Sequence, residues 1–560
     1  MLINVLIGGE AGQGMDTLAS LLEKTLHREG YAVFTSKDYM SRIRGGHNFI
    51  LVRSGTEIPT SHDPDPDVIV ALNRETAELH QDRLKSGGVI LGDGDLQVSH
   101  PAFHSLPLAR LAKEAGNPRV AGTGALGYLL KMLGLGTGVL AELLSGQFSG
   151  EVLAANLSIL ETCHSMGEVR YELPPGTPAG NLLLNGNEAV ALGALAAGLD
   201  FYSAYPMTPS TGIMNVLAAS RGKTGIVVEQ AEDEIAAINM AIGASYGGAR
   251  AMTGTSGGGF SLMVEALGLA GITETPVLVA NVQRPGPATG FPTRTEQGDL
   301  SFVLTAAQGE FPRMVTSVRN PRHAFYTTFR ALNLADKYQI PVILLSDQYV
   351  ADVSRTTEPP DLAVLEIKRH LADPGEWTDR EYRRYSTESG PVSPRLVPGT
   401  APGQVVVADS DEHTEEGHIT ESAEMRIRMT EKRMGKMKML AGEMEEPLYE
   451  GPGKPETVLV GWGSMEGPLL EARDILGQKG YPVGVLVFGD LYPLPVRTLF
   501  RLREMNADFV GVEQNATGQL ARLIRQETGI AMSGSILRFD GRQMCGQEIA
   551  ERWLKEVKEQ

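Results

Sequence analysis

Four short runs between residues 205 and 293 concentrate the side chains able to do chemistry. Tyr205-Pro206-Met207-Thr208-Pro209-Ser210-Thr211 follows an apolar run and opens a helical pattern. Its hydroxyls therefore stand at a strand's C-terminal end, where parallel α/β sheets bind ligands, and serve either as a helix cap or as ligand contacts. Glu229-Gln230-Ala231-Glu232-Asp233-Glu234 sets acids before and within the first turn of an apolar helix, where most need no role beyond pairing with the helix dipole. Glu234 differs because Ile235, Ala236 and Ile238 follow it, and a carboxylate leaning into an apolar interface holds its proton more tightly. Thr253-Gly254-Thr255-Ser256-Gly257-Gly258-Gly259 makes a second strand-end loop of hydroxyls and glycines. The run from Asn281 to Thr293 puts Arg284 at a strand end among prolines and threonines, where a guanidinium can clamp a carboxylate in bidentate fashion.

Three runs nearer the N-terminus carry weaker signals. Gly8-Gly9-Glu10-Ala11-Gly12-Gln13-Gly14 lies between an apolar strand over 2–7 and a helical pattern through Leu18, Leu21, Leu22 and Leu26. The glycines depart from the G-x-G-x-x-G order, and Thr35-Ser36-Lys37 stands where a dinucleotide site carries an acid, so close packing against a partner domain or a phosphate is favoured over nicotinamide. Arg42-Ile43-Arg44-Gly45-Gly46-His47-Asn48 reads either as a cradle for phosphate or carboxylate or as a turn with solvated arginines. Gly92-Asp93-Gly94 is reminiscent of the magnesium and diphosphate grip of thiamine diphosphate enzymes. The next candidate partner, Asn117, comes early and precedes Pro118, so a strand-end turn is expected and no metal site is assigned.

The elements that must position these runs alternate strand and helix without hairpin spacing, which predicts a multidomain α/β protein with largely parallel sheets. Domains are expected at 1–175, 176–351 and 455–560, with proline-rich and acidic sequence over 352–454 as an irregular connector. A helix over 422–443 carries Arg426, Arg428, Lys432, Arg433, Lys436 and Lys438, either as a solvated basic face or as a docking surface for an acidic partner.

At 560 residues the chain exceeds a single core, and 50 basic against 68 acidic residues (formal net charge −18) argue against nucleic acid or anionic membrane as a general partner. Cys163 and Cys545 are the only cysteines, so any iron–sulfur cluster must come from another chain. Without a basic leader or a membrane-length apolar run, the cytoplasm is the expected compartment.

Taken together, these residues resemble the 2-oxoacid:ferredoxin oxidoreductase family, thiamine diphosphate and iron–sulfur enzymes that interconvert a 2-oxoacid plus coenzyme A with an acyl-CoA plus CO2. The resemblance is to an α subunit with a γ domain fused in front. The γ-like part rests on the first glycine loop and Arg44-Gly45-Gly46-His47-Asn48. The α part rests on Gly186-Asn187-Glu188-Ala189, Tyr205 to Pro209, Glu232-Asp233-Glu234, Thr255-Ser256-Gly257 and Arg284 to Thr293. Gly309-Glu310-Phe311-Pro312-Arg313, Asp411-Glu412-His413, Lys432-Arg433, Glu513-Gln514-Asn515 and Gly518-Gln519 extend it to the last domain. Met207 and Gly258 depart from the family's common isoleucine and proline.

The resemblance implies a thiamine-diphosphate-binding, pyrimidine-type fold in the middle domain and a transketolase-C-like last domain. It implies that Glu234 contacts the aminopyrimidine ring nitrogen, with Tyr205, Pro206 and Thr255 in the same cofactor site. Thr208, Arg284 and Thr293 would bind the C1 carboxylate of the 2-oxoacid, and Arg42 and Arg44 the coenzyme A phosphates or an interdomain anchor. A β subunit, in an αβ or (αβ)2 assembly, would bring Mg2+, the diphosphate grip and a 4Fe-4S cluster, with ferredoxin as electron partner. The favoured substrate is 2-oxoglutarate, giving succinyl-CoA; pyruvate or a broad 2-oxoacid range stays open, as do a nonredox thiamine diphosphate enzyme and a noncatalytic scaffold.

Overall fold

The computed structural model describes residues 2–40, 46–177 and 180–558. They form two compact units, Met1–Leu184 with Asp352–Pro359, and Asn185–Ala351 with Pro360–Gln560.

The first unit is built on an eight-stranded sheet in the order Phe103–Leu106, Val89–Asp93, Val68–Ala71, Leu2–Glu10, His47–Gly55, Ala32–Asp38, Ser354–Thr357, Leu182–Leu184. The first four strands are parallel and the remaining pairings antiparallel. Part of the change of sense follows from chain length, because the link between Ala32–Asp38 and His47–Gly55 is too short for a crossover helix. Gly8 and Gly9 lie inside the first strand, not in the loop after it. A Cβ on Gly8 would sit 2.6 Å from Thr76 Cγ2, so this glycine permits close packing of the helix Arg74–His80. Ser354–Thr357, at the start of the expected connector, returns to this sheet, where the Thr356 hydroxyl accepts from the Val33 amide at 2.9 Å.

The second unit holds two sheets. The larger runs Asp490–Tyr492, Met314–Ser317, Pro341–Asp347, Val277–Gln283, Ala251–Thr255, Phe201–Ala204, Val227–Gln230, and only its first strand is antiparallel. The smaller runs Leu448–Glu450, Gly484–Phe488, Thr457–Trp462, Asp508–Glu513, Gly534–Leu537, again with an antiparallel first strand. The central strands are apolar on both faces: Leu278, Ala280 and Val282 enter one core, while Val277 and Val279 enter another that also takes Val460 and Phe488 from the smaller sheet.

The remainder of the connector is irregular in backbone but pinned by buried ion pairs. Asp336 takes Arg250 at 2.7 Å, Arg369 at 3.2 Å and Arg395 at 3.3 Å. In the helix Ala423–Ala441, Met429, Lys432, Arg433, Lys436 and Leu440 share one buried stripe. Lys432 and Lys436 reach the fully buried Glu274 at 2.7 and 2.5 Å, and Arg433 reaches Glu412 at 2.8 Å. The more exposed Arg426 and Arg428 pair with Glu412 and Glu415. The basic face is therefore chiefly an internal clasp, because the acids that match it lie on the same chain.

Burial, with Lys432 and Arg384 nearby, lowers the Lys436 amine to about 7 against the pull of Glu274. A lysine with a lowered folded value binds its proton less tightly than the unfolded chain does, so stability rises with pH above that value. Relative to a Lys436→Met variant, the protein should gain up to about 1.4 kcal/mol per pH unit between pH of about 7 and about 9. Urea unfolding at several pH values measures this, and a pH-independent difference would contradict it.

Candidate functional site

Four neighbouring parallel strands, Val227–Gln230, Phe201–Ala204, Ala251–Thr255 and Val277–Gln283, end on one edge of the larger sheet. The runs singled out above follow them, so the alternation that builds the sheet also gathers the site.

Glu234 is the first residue of the helix Glu234–Tyr246, whose N-cap is the preceding Asp233, accepting from the Ala236 amide at 2.7 Å. The Glu234 side chain is only 3% exposed, and its Oε1 has no hydrogen-bond partner. Burial raises the proton affinity of the carboxyl, and Asp233 adds to the effect. A Cβ on Gly259 would meet Glu234 Oε1 at 2.3 Å and Thr255 Oγ1 at 2.2 Å. The glycine thus brings the carboxylate and the hydroxyl together against the helix Gly257–Ile272. A buried, unpartnered carboxyl that favours its proton fits a ring nitrogen such as that of an aminopyrimidine.

On the adjacent strand end, Tyr205 is 40% exposed and Pro206 partly buried. The Ser210 hydroxyl and amide both donate to the Met207 carbonyl, at 2.7 and 2.8 Å, which closes the turn and leaves Thr208 exposed. Arg284 Nη1 donates to the Thr208 carbonyl oxygen at 2.7 Å. The expected bidentate clamp is therefore partly committed to protein backbone, while Thr208 and Arg284 are brought together as expected from their strand ends. Burial weakens the hold of Arg284 on its proton and Asp299 opposes that. Thr293 is partly buried in the loop that follows.

Asn281, Gln283 and Asp299 were not singled out in the sequence. Asn281 Nδ2 donates to Asp299 Oδ2 at 3.0 Å, the Asp299 amide donates to Gln283 Oε1 at 3.0 Å, and Gln283 Nε2 donates to the Ser346 carbonyl at 3.0 Å. Polar residues at alternate positions closing an apolar strand were the available signal. Glu296, in the same segment, is raised to about 7 by burial and by Asp299.

Other runs have structural roles. Asp93 accepts from the Asp95 and Ala109 amides and Asn117 from the Arg119 amide, so Gly92-Asp93-Gly94 is a capped strand end. Glu513 is buried and accepts from Trp462 Nε1, Asn515 Nδ2 and the amides of Leu520 and Ala521. Among the described residues no group of His, Cys, Asp or Glu is placed to hold a metal ion, and no helix is long and apolar enough to cross a membrane. Both cysteines are buried, and neither forms a disulfide.

In the first unit, Arg42 and Arg44 lie outside the described residues. Among the described residues of this unit, a cavity of about 470 Å³ is lined by Gly12, Gly14, Lys37, Tyr39 and Asn48 at the N-terminus of the helix Met15–Arg28.

Comparison with known proteins agrees with this geometry. Residues 192–432 match the family described as "Pyruvate flavodoxin/ferredoxin oxidoreductase, thiamine diP-bdg", and residues 4–165 match "Pyruvate ferredoxin/flavodoxin oxidoreductase". The chain is 32% identical to the 2-oxoacid:ferredoxin oxidoreductase subunit alpha of Sulfolobus sp, over 100% of this chain and 98% of that protein. It is 30% identical to the 2-oxoglutarate oxidoreductase subunit KorA of Mycobacterium tuberculosis, over 98% and 90%. A solved structure of 2-oxoglutarate:ferredoxin oxidoreductase from Magnetococcus marinus, with 2-oxoglutarate, coenzyme A and succinyl-CoA bound, superposes with a TM-score of 0.93 at 32% identity, covering 99% of each chain. With its strand-end site, thiamine diphosphate-binding region and full-length relatives, the chain belongs to the 2-oxoacid:ferredoxin oxidoreductase family as a subunit of the alpha type.

Proposed function

We propose that this chain is the γ–α fused subunit of a coenzyme A-dependent 2-oxoacid:ferredoxin oxidoreductase whose preferred substrate is 2-oxoglutarate, with succinyl-CoA and CO2 as products. The observation that carries the reading is the buried, unpartnered Glu234 carboxyl, pressed with Thr255 against Gly259 one strand end away from Thr208 and Arg284. The substrate preference is supported by the 2-oxoglutarate oxidoreductases among the relatives.

Glu234 holds a proton at Oε1 for exchange with the pyrimidine ring nitrogen, and Tyr205, Pro206 and Thr255 complete the wall of that pocket. Thiamine diphosphate, when bound, supplies the electron sink for cleaving the bond to the departing carboxylate. Arg284, with Thr208 and Thr293, orients the C1 carboxylate, so that the 2-oxo carbon faces the reacting centre. In the first unit, Lys37 and the helix N-terminus beside Gly14 suit the phosphates of coenzyme A, together with Arg42 and Arg44. A β subunit, in an αβ or (αβ)2 assembly, brings Mg2+, the diphosphate grip and the 4Fe-4S cluster, and passes electrons to ferredoxin in the cytoplasm.

Coexpression with the β subunit and assay of coenzyme A-dependent acceptor reduction over a panel of 2-oxoacids tests this. The expected result is the highest kcat/KM with 2-oxoglutarate. Arg284→Ala should raise the KM for the 2-oxoacid about 10- to 100-fold, the loss of a charged hydrogen bond, with kcat much less affected. Turnover without coenzyme A or without iron in the partner would overturn the redox reading, and an unchanged KM in Arg284→Ala would remove that residue from the substrate site.

A further inference from the structure

Asp299 precedes the helix Leu300–Thr305, yet its side chain makes no capping bond to that helix. It turns instead toward the end of the strand Val277–Gln283, where Asn281 Nδ2 donates to Oδ2 at 3.0 Å and the Asp299 amide donates to Gln283 Oε1 at 3.0 Å. Gln283 is in turn held by its donation to the Ser346 carbonyl on the neighbouring strand. The residue after Gln283 is Arg284.

The other side of the Asp299 carboxylate rests on a helix N-terminus. A Cβ on Gly257 would lie 2.6 and 2.8 Å from its two oxygens. Gly257 opens the 16-residue helix Gly257–Ile272, whose N-cap Ser256 makes no side-chain capping bond. A carboxylate at that end meets the positive pole of the helix dipole. Two residues further on is Gly259, against which Glu234 and Thr255 press.

We propose that Asp299 is a positioning residue: by bridging the Asn281–Gln283 strand end and the first turn of the helix Gly257–Ile272, it sets where Arg284 stands relative to Glu234. The inference rests on the reading of Arg284 as the ligand of the substrate carboxylate. The carboxylate acts through the strand end that carries the arginine and the helix that backs the glutamate. Burial raises the proton affinity of Asp299, while the hydrogen bond from Asn281 and the Arg284 guanidinium oppose that.

The test uses the α chain coexpressed and purified with its β subunit. Asp299→Ala removes the bridge, whereas Asp299→Asn keeps an oxygen that can accept from Asn281 and a side chain of the same shape. Asp299→Ala should raise the KM for the 2-oxoacid about tenfold, with the KM for coenzyme A unchanged and kcat within about threefold. Asp299→Asn should restore the 2-oxoacid KM to within about twofold of the parent. The double variant Asp299→Ala, Arg284→Ala should have the same KM as Arg284→Ala alone, because the bridge has no arginine left to place. Should Asp299→Ala fail to assemble, Asn281→Leu breaks the same bridge from the strand side and is expected to give the same rise in KM. A KM unchanged by the bridge-breaking variant, or effects of Asp299→Ala and Arg284→Ala that multiply, would overturn the proposal. An Arg284→Ala variant with an ordinary KM would instead overturn the reading on which it rests.

Discussion

Replacing Glu234 by glutamine is expected to lower turnover of the assembled enzyme by about 10²- to 10⁴-fold, the range spanned by loss of a positioned proton-transfer group, if the role proposed for it holds. The substitution keeps the size of the side chain and its ability to hydrogen-bond, so the pocket formed by Thr255 and Gly259 stays filled and the helix keeps its Asp233 cap. What disappears is a group able to exchange a proton at Oε1, the atom the fold leaves buried without a partner. Because Arg284 and Thr208 are untouched, the KM for the 2-oxoacid should change little, which separates this variant from Arg284→Ala. Steady-state kinetics with the β subunit, alongside a direct measurement of thiamine diphosphate binding, provides the check. Turnover within twofold of the parent enzyme would remove Glu234 from the chemistry.

Glu274→Gln is expected to have the largest effect on stability, about 3–5 kcal/mol, because it leaves the buried Lys432 ammonium and the Lys436 amine, whose hold on its proton burial already weakens, without their counter-ion. Glu274, Lys432 and Lys436 are all at or close to zero exposure, with Lys432 at 2.7 Å and Lys436 at 2.5 Å. Arg384 adds further positive charge, donating to the Glu274 carbonyl at 2.6 Å and to Gln339 Oε1 at 2.8 Å. Although burial opposes it, the combined pull of these cations holds the Glu274 carboxyl well below the usual carboxylate range. A depressed folded value stabilises the protein above the ordinary carboxylate range, and that contribution is lost as pH falls through it. Equilibrium urea unfolding at neutral pH measures the loss. A second change, Lys436→Met, should recover part of it, since the uncompensated charge rather than the missing hydrogen bond dominates the cost. A Glu274→Gln protein as stable as the parent would mean that water or another acid compensates the lysines.

Much of the second unit was legible before its structure. The strand end expected at Arg284 closes the observed Val277–Gln283, and the apolar helix expected to begin around Glu234 is the observed Glu234–Tyr246. Short continuous apolar runs bounded by turn residues fit strands buried on both faces, and neighbouring strands of one sheet joined by crossover helices run parallel. Once that is granted, residues following successive strands must meet on one edge, and the family resemblance added that Thr208, Glu234, Thr255 and Arg284 would share one site. Glu234 stood out for a local reason as well, an acid followed at once by apolar residues at a helix start.

Less was legible in the first unit and in the connector. Ser354–Thr357 has no apolar alternation, and its place beside Ala32–Asp38 depends on a partner more than 300 residues away. The basic helix was read as a surface because six cations in one segment ordinarily seek water. It turns inward because its acid, Glu274, lies 158 residues from Lys432 and belongs to the preceding α/β region.

By itself the sequence determined the class of fold, the order of strands and helices in the second unit and the four strand ends from which the candidate site is built, because periodicity and turn chemistry act over a few residues. Only the tertiary structure decided that Arg284 spends a hydrogen bond on the Thr208 backbone, that Asp299 bridges a strand end to a helix, and that buried lysines clasp the connector. Those outcomes depend on which distant groups burial brings within about 3 Å of one another, and a hydrogen bond or ion pair across that span leaves no local pattern to read.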